Sequence, residues 1–177
     1  MASDDKDLIA GIVQGDKAAM RALFLRHHAG LVAFLIGRGA DRSEVDDVVQ
    51  DAMLDVWRSA SAFAGRSSVK TWVYTIARNK LIDRQRKGRG VSYVDEVPDV
   101  ADTDPDPECA LAASQEAGRV RACLDGLSPP QRSVIRLAFF EDLTYGEIAE
   151  VEAVPVGTIK TRVYHAKQLL LRCLSAL

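Results

Sequence analysis

Aromatic residues are scarce, 6% of 177 positions, so the core must rest on Leu, Ile, Val and Ala, the side chains that fill helix interfaces. The expected fold class is all-α. Cysteine is scarce too: Cys109, Cys123 and Cys173 form no CxxC pair and lie far in sequence from His27, His28 and His165. That spacing gives no zinc or redox motif, and the thiols read as buried and reduced. Long apolar runs are absent. The longest uncharged stretch, His27 to Gly37, has 11 residues, against about 20 for a membrane span. Residues 1–7 are acidic, with no apolar stretch behind a basic end, so they are not a secretory signal. The expectation is a cytoplasmic protein without membrane insertion. A phosphate loop, metal-ligand spacing and a nucleophile with a base within reach are all missing, so no enzyme activity, metal or cofactor is expected. A net charge of -2 lacks the basic surplus common in nucleic-acid-binding proteins.

That total conceals segregation. Residues 1–65 hold 7 basic and 10 acidic side chains, whereas residues 66–90 hold 8 basic and 1 acidic. Residues 91–118 carry 8 acids and no Lys or Arg, with Pro98, Pro105 and Pro107 among them. Low hydrophobicity, self-repelling charge and proline prevent a packed core and read as a flexible linker. From Pro155 to the end there are four Lys or Arg and no acid. Two small helical domains therefore flank the linker: residues 1–90, an acidic linker over 91–108, and residues 109–177.

In the first domain Asp16 can cap a helix whose apolar stripe is Met20, Leu23, Phe24, Leu31, Phe34 and Leu35, ended by Gly37 and Gly39. Ser43 with Asp46 resembles a capping box for a helix carrying Val45, Val48, Val49, Ala52, Met53, Val56 and Trp57. Its other face bears Glu44, Asp47, Asp51 and Asp55, either a solvated surface or, beside exposed apolar residues, a docking surface. After Gly65, Ser67 or Ser68 can start a helix over about 69–86. Trp72, Val73, Ile76 and Ala77 lie on one side, and Lys70, Arg78, Lys80, Arg84, Arg86 and Lys87 cover the rest. Cations interleaved with Trp72, Tyr74 and Asn79, behind a loop bearing Phe63, suit opened nucleic acid, in which bases stack and phosphates meet cations. Trp72 can equally be a core residue.

In the second domain Ser128-Pro129-Pro130-Gln131 and Thr144 with Glu147 are capping boxes opening two helices. Glu152 to Val154 then lead to Pro155 and a longer basic helix. A short helix, tight turn and basic helix form the helix-turn-helix arrangement, whose second helix enters the major groove. Ile159, Val163, Ala166 and Leu170 give that helix its buried face, leaving Thr158, Lys160, Thr161, Arg162, His165, Lys167 and Gln168 for DNA.

These motifs resemble a known family. Val48-Val49-Gln50-Asp51 through Val56-Trp57, Gly65 to Asn79 and Asp83-Arg84 look like region two of an extracytoplasmic-function (ECF) sigma factor of the sigma-70 family. Leu127 to Arg132, Leu143 to Ala149 and Val156 to Arg162 resemble region four. The resemblance implies an RNA polymerase sigma factor that binds core polymerase and directs promoter recognition, melting and transcription initiation. It implies that Asp47, Gln50, Asp51 and Asp55 dock on the beta-prime clamp, with further contact to the beta subunit. Phe63 and Asn79 would lie near a flipped base of the minus-ten element, while Lys70, Arg78, Lys80, Arg84 and Arg86 hold the backbone. Thr158, Lys160, Thr161, Arg162, His165 and Lys167 would read the minus-thirty-five element. An anti-sigma factor covering both domains is implied as a further partner.

The architecture suits this task. A domain of this size has a radius of gyration of about 12 Å, whereas elements two helical turns apart are separated by about 70 Å. A linker of roughly 17 residues extends to about 56 Å, so two domains can reach what one cannot. Three positions depart from the family's pattern. Glu152 and Ala153 stand where an apolar residue and glycine are usual, so Ala153 must avoid the left-handed region or accept strain. His165 stands where arginine is frequent. A ligand-sensing helix-turn-helix regulator is the alternative, but such a sensor does not need the basic block over 66–90.

Overall fold

The computed structural model describes residues 4–88 and 117–176. Helices α1 (Asp5–Val13), α2 (Lys17–Gly37), α3 (Val45–Ser59) and α4 (Val69–Gly88) form a first group, with a 3-10 turn over Ala60–Ala62 between α3 and α4. Helix α5 (117–125), α6 (Pro129–Phe139), α7 (Tyr145–Glu152) and α8 (Val156–Ser175) form a second. No strand occurs among the described residues, as the all-α expectation requires. The linker assigned to 91–108 lies outside the described residues, as does Cys109.

Helix α2 is the centre of the first group. Asp16 caps it, accepting a hydrogen bond from the Ala18 N–H at 2.8 Å, and it stops at Gly37, before Gly39 turns the chain at φ 89°. On length and composition alone α2 could cross a membrane. Instead its Leu23, Leu31, Phe34 and Leu35 are fully buried, packed by α1, α3, α4 and α6. Burial of each such side chain contributes about 1.5–3 kcal/mol relative to exposure. Helix α1, which the sequence reading did not assign, is closed by an Asp4/Asp7 capping box. Asp5 pins it to α2 through Arg26 and through His27 Nε2, 2.8 Å away.

Helix α3 buries Val45, Val48, Val49, Ala52, Met53 and Val56. Its expected Ser43/Asp46 cap does not form. Ser43 gives both its N–H (2.8 Å) and its hydroxyl (2.7 Å) to Asp41 Oδ1, a local turn that competes with capping. Ser68 starts α4, its Oγ accepting from the Thr71 N–H at 3.1 Å. Along α4, Val73, Tyr74 and Ala77 are fully buried, and Trp72 is half-buried against the core. Tyr74 is therefore a core residue rather than a stacking platform, its ring 5.2 Å from that of Phe34.

In the second group the caps form as expected. Gln131 Oε1 accepts from the Ser128 N–H at 3.1 Å, and Glu147 Oε2 accepts from the Thr144 N–H at 2.9 Å. Ala153 takes the strained option: it sits at φ 52°, ψ 46°, in the left-handed region that costs a non-glycine residue about 1–2 kcal/mol. The turn it makes is closed by the Val154 N–H bonding to Ala149 O at 3.1 Å. Helix α8 then buries Ile159, Val163 and Ala166, with Leu170 partly covered.

Two of the cysteines are not reduced thiols, contrary to the expectation. Cys123 of α5 and Cys173 near the end of α8 are joined by a disulfide, with Cα atoms 5.8 Å apart. The 50-residue separation hides the pair in sequence; α8 returns past α5 only once the group is folded.

Candidate nucleic-acid interface

The helix-turn-helix is built as its sequence pattern suggests. The capped α7 and the turn at Ala153 set α8 with one face in the core and the other outward. Lys160, Thr161, His165 and Lys167 are exposed, while Thr158 and Arg162 are half-buried. Lys167 is held over the Phe139 ring, 5.0 Å from its centroid. Tyr164, which sequence reasoning passed over, is 62% exposed on this face with its ring 5.7 Å from that of His165. Its position, four residues after Lys160 and three after Thr161, was the available signal.

Helix α4 presents its candidates in two directions. Asn79 and Arg86 are exposed, and Arg78 Nη1 donates to Asn79 Oδ1 at 3.2 Å. Lys80 and Arg84 face α3: Lys80 Nζ is 2.6 Å from Asp55. The Arg84 guanidinium lies 3.6, 3.5 and 3.7 Å from Glu44, Asp47 and Asp51. The α3 acid row is thus partly matched by the α4 basic row, and both remain open to solvent. A groove of about 480 Å³, lined by Met20, Phe24, Gln50, Met53, Leu54 and Trp57, opens beside it. The carboxylate row therefore has apolar surface next to it. Phe63, half-buried at the end of the 3-10 turn, lies tilted against Trp72 with ring centroids 4.9 Å apart.

Lys70 and Arg78 lie where the two helix groups meet. Lys70 Nζ donates to Glu141 O at 3.0 Å and lies 3.6 Å from Glu141 Oε2. Glu152, only 2% exposed, takes the Arg38 guanidinium on both oxygens, at 2.6 Å on Oε1. It also accepts from the Ser133 hydroxyl at 2.5 Å, and Arg162 stands 3.7 Å away. Burial, then the Arg38 cation, push the Arg78 guanidinium below its ordinary value; Glu152 opposes the shift and Arg162 adds to it. Glu147 spans the same junction. While Oε2 caps α7, Oε1 accepts from Ser68 at 3.0 Å and Thr71 at 3.2 Å at the start of α4. Burial pushes this carboxyl up, but the bonds from Thr144, Ser68 and Thr71 outweigh it and hold the group below its ordinary value. Burial and the adjacent Glu141 carboxylate raise the Tyr74 phenol, which stays neutral. Among the described residues no three His, Cys, Asp or Glu side chains gather as a metal ligand set.

Residues 23–90 match the sigma-70 region 2 family and residues 117–170 match the sigma-70 region 4 family. The chain is 38% identical to the ECF RNA polymerase sigma factor RpoE of Cereibacter sphaeroides over 149 residues, covering 84% of this chain and 82% of that one. The chain belongs to the ECF sigma factors of the sigma-70 family. ECF sigma factor SigK of Mycobacterium ulcerans is 35% identical, covering 98% of this chain and 96% of its own. Among solved structures, RpoE of Bartonella quintana in complex with the anti-sigma factor NepR superimposes with a TM-score of 0.69 at 26% identity, over 88% of this chain and 96% of that chain. CnrH in complex with the cytosolic domain of CnrY gives 0.67 at 27% identity, over 97% of each chain. This sigma factor thus carries region 2 in the first helix group and region 4 in the second, and it serves RNA polymerase in transcription initiation.

Proposed function

We propose that this sigma factor works in the cytoplasm without enzymatic activity of its own, as two domains over residues 1–90 and 109–177 joined by the 91–108 linker. Asp47, Gln50, Asp51 and Asp55 dock on the beta-prime clamp of core polymerase. The present partners of the three aspartates, Lys80 and Arg84, are solvent-accessible, and such surface pairs contribute only about 0–1 kcal/mol, so exchange for partner cations costs little. Phe63 and Asn79 sit at the pocket for an unstacked minus-ten base, whose lost stacking needs aromatic and polar contacts to offset it. Lys70, Arg78, Lys80, Arg84 and Arg86 take the phosphates. Thr158, Lys160, Thr161, Arg162, His165 and Lys167 read the minus-thirty-five duplex, with the beta subunit as a further contact of the second domain. An anti-sigma factor regulates the protein, a reading supported by the complex in which the similar Bartonella protein was solved.

The observation that carries this reading is the outward basic face of α8, set by a capped α7 and the turn at Ala153. Arg162→Ala weakens binding to minus-thirty-five duplex, and equal affinity across a salt series removes Arg162 from the contacts. Asp51→Asn lowers recovery of beta-prime in a pull-down, and undiminished recovery counts against the α3 surface.

A further inference from the structure

Glu152 breaks two rules of placement. It is the last residue of α7, where the carbonyl end of the helix dipole disfavours a carboxylate, and it is only 2% exposed. A buried acid is poor support for a fold, because a well-packed apolar residue of similar size does as well or better. The carboxylate is accounted for by what it holds. Within the second helix group it joins three helices. The hydroxyl of Ser133 on α6, itself fully buried, donates to Oε1 at 2.5 Å. Arg162 Nη1 on α8 stands 3.7 Å from Oε2. The left-handed turn at Ala153 follows directly, so the acid sits at the corner from which α8 departs.

Arg162 lies between the two faces of α8. Ile159 and Val163 beside it are buried, whereas Thr161 and His165 are exposed, and its own side chain is 28% exposed. At 3.7 Å the contact with Glu152 is too long for a hydrogen bond, so the carboxylate orients the guanidinium without taking up its N–H groups. The planar fork of donors stays available for a phosphate at the edge of the groove. We propose that Glu152 is a positioning residue for promoter recognition: fixed by Ser133, it holds Arg162 pre-oriented toward the duplex backbone. The proposal rests on the assignment of Arg162 to the minus-thirty-five contacts. The gain is preorganisation, since an arginine restrained beforehand gives up less rotamer freedom on binding. Arg38 of α2 also contacts Glu152, but it belongs to the other helix group and takes no part in the positioning.

The test uses the full chain assembled with core polymerase and measures binding of a fluorescent duplex carrying only the minus-thirty-five element. Wild type, E152L, R162A and E152L/R162A form the cycle. E152L removes the charge and keeps an apolar side chain of similar size. E152Q repeats the cycle with an acceptor for Ser133 retained, so a folding defect in E152L does not decide the outcome. R162A weakens binding, and E152L alone is expected to weaken it about fivefold, the scale of ordering one long side chain. With Arg162 absent, loss of the acid should cost nothing further, a non-additivity that a merely structural role would not produce. R38A, which removes the cation of the first group, should bind as wild type does. Equal losses on E152L with and without Arg162 overturn the proposal, as does unchanged or raised affinity in E152L while R162A weakens binding. A loss in R38A matching that in E152L overturns it in favour of the contact with α2. If R162A itself binds as wild type does, the promoter assignment of Arg162 fails and the positioning role falls with it, a failure that R162A alone reports.

Discussion

Breaking the Cys123–Cys173 disulfide should destabilise the second domain more than any surface substitution. The bond closes a loop with a sequence separation of 50, for which chain entropy gives about 4 kcal/mol of stabilisation at 25 °C. That is about a thousandfold in the folding equilibrium. Guanidinium unfolding followed by far-UV circular dichroism measures it on oxidised protein, on protein in dithiothreitol and on C123A/C173A. The midpoint of reduced protein should fall clearly below that of oxidised protein. The double variant should match the reduced protein to within the small cost of trimming a buried thiol. Identical midpoints, with thiol titration proving the bond open, would refute the reasoning. The structural consequence is specific: Cys123 anchors α5 to the end of α8, the helix proposed to read the minus-thirty-five element.

Two further predictions concern the turn and the junction. Ala153→Gly removes a left-handed cost of about 1–2 kcal/mol against an added unfolded-state entropy of about 0.5–1 kcal/mol. Because Ala153 is exposed and loses no packing, the variant should raise the melting temperature by about 1–4 °C; a lower melting temperature contradicts the strained-turn account. Glu147 is held below its ordinary pKa, so its contribution is complete above that ordinary value and disappears as pH falls through the lowered one. The unfolding midpoint of wild type relative to E147Q should therefore shrink toward zero on acidification. A difference that grows in acid has the wrong sign for this carboxylate.

Much of the fold was legible because it obeys local rules. Asp16, Ser128 and Thr144 announced helix starts through their own side chains, and Ile159, Val163 and Ala166 announced a buried face by spacing alone. Ser43 misled because Asp41 outcompetes Asp46 for its hydrogen bonds, a contest between two local motifs that spacing does not rank. Tyr74 read as an accessible ring because its neighbours are cationic, yet helix rotation turns it toward Phe34. Cys123 and Cys173, like Arg38 and Glu152, meet across 50 and 114 residues. Only tertiary packing brings such pairs together, so neither composition nor periodicity could reveal them. The near-zero net charge is the same lesson in electrostatics: acids and bases that cancel in the total are matched in space at the α3/α4 face and at the domain junction.

On the proposed reading, this chain directs core polymerase to promoters through two separate DNA surfaces. Run-off transcription with purified core polymerase on a promoter template tests it most directly. Added wild-type protein should yield a discrete promoter-dependent transcript, lost when either the minus-ten or the minus-thirty-five element is scrambled. Binding of the protein to DNA with no transcript from core polymerase would contradict the account.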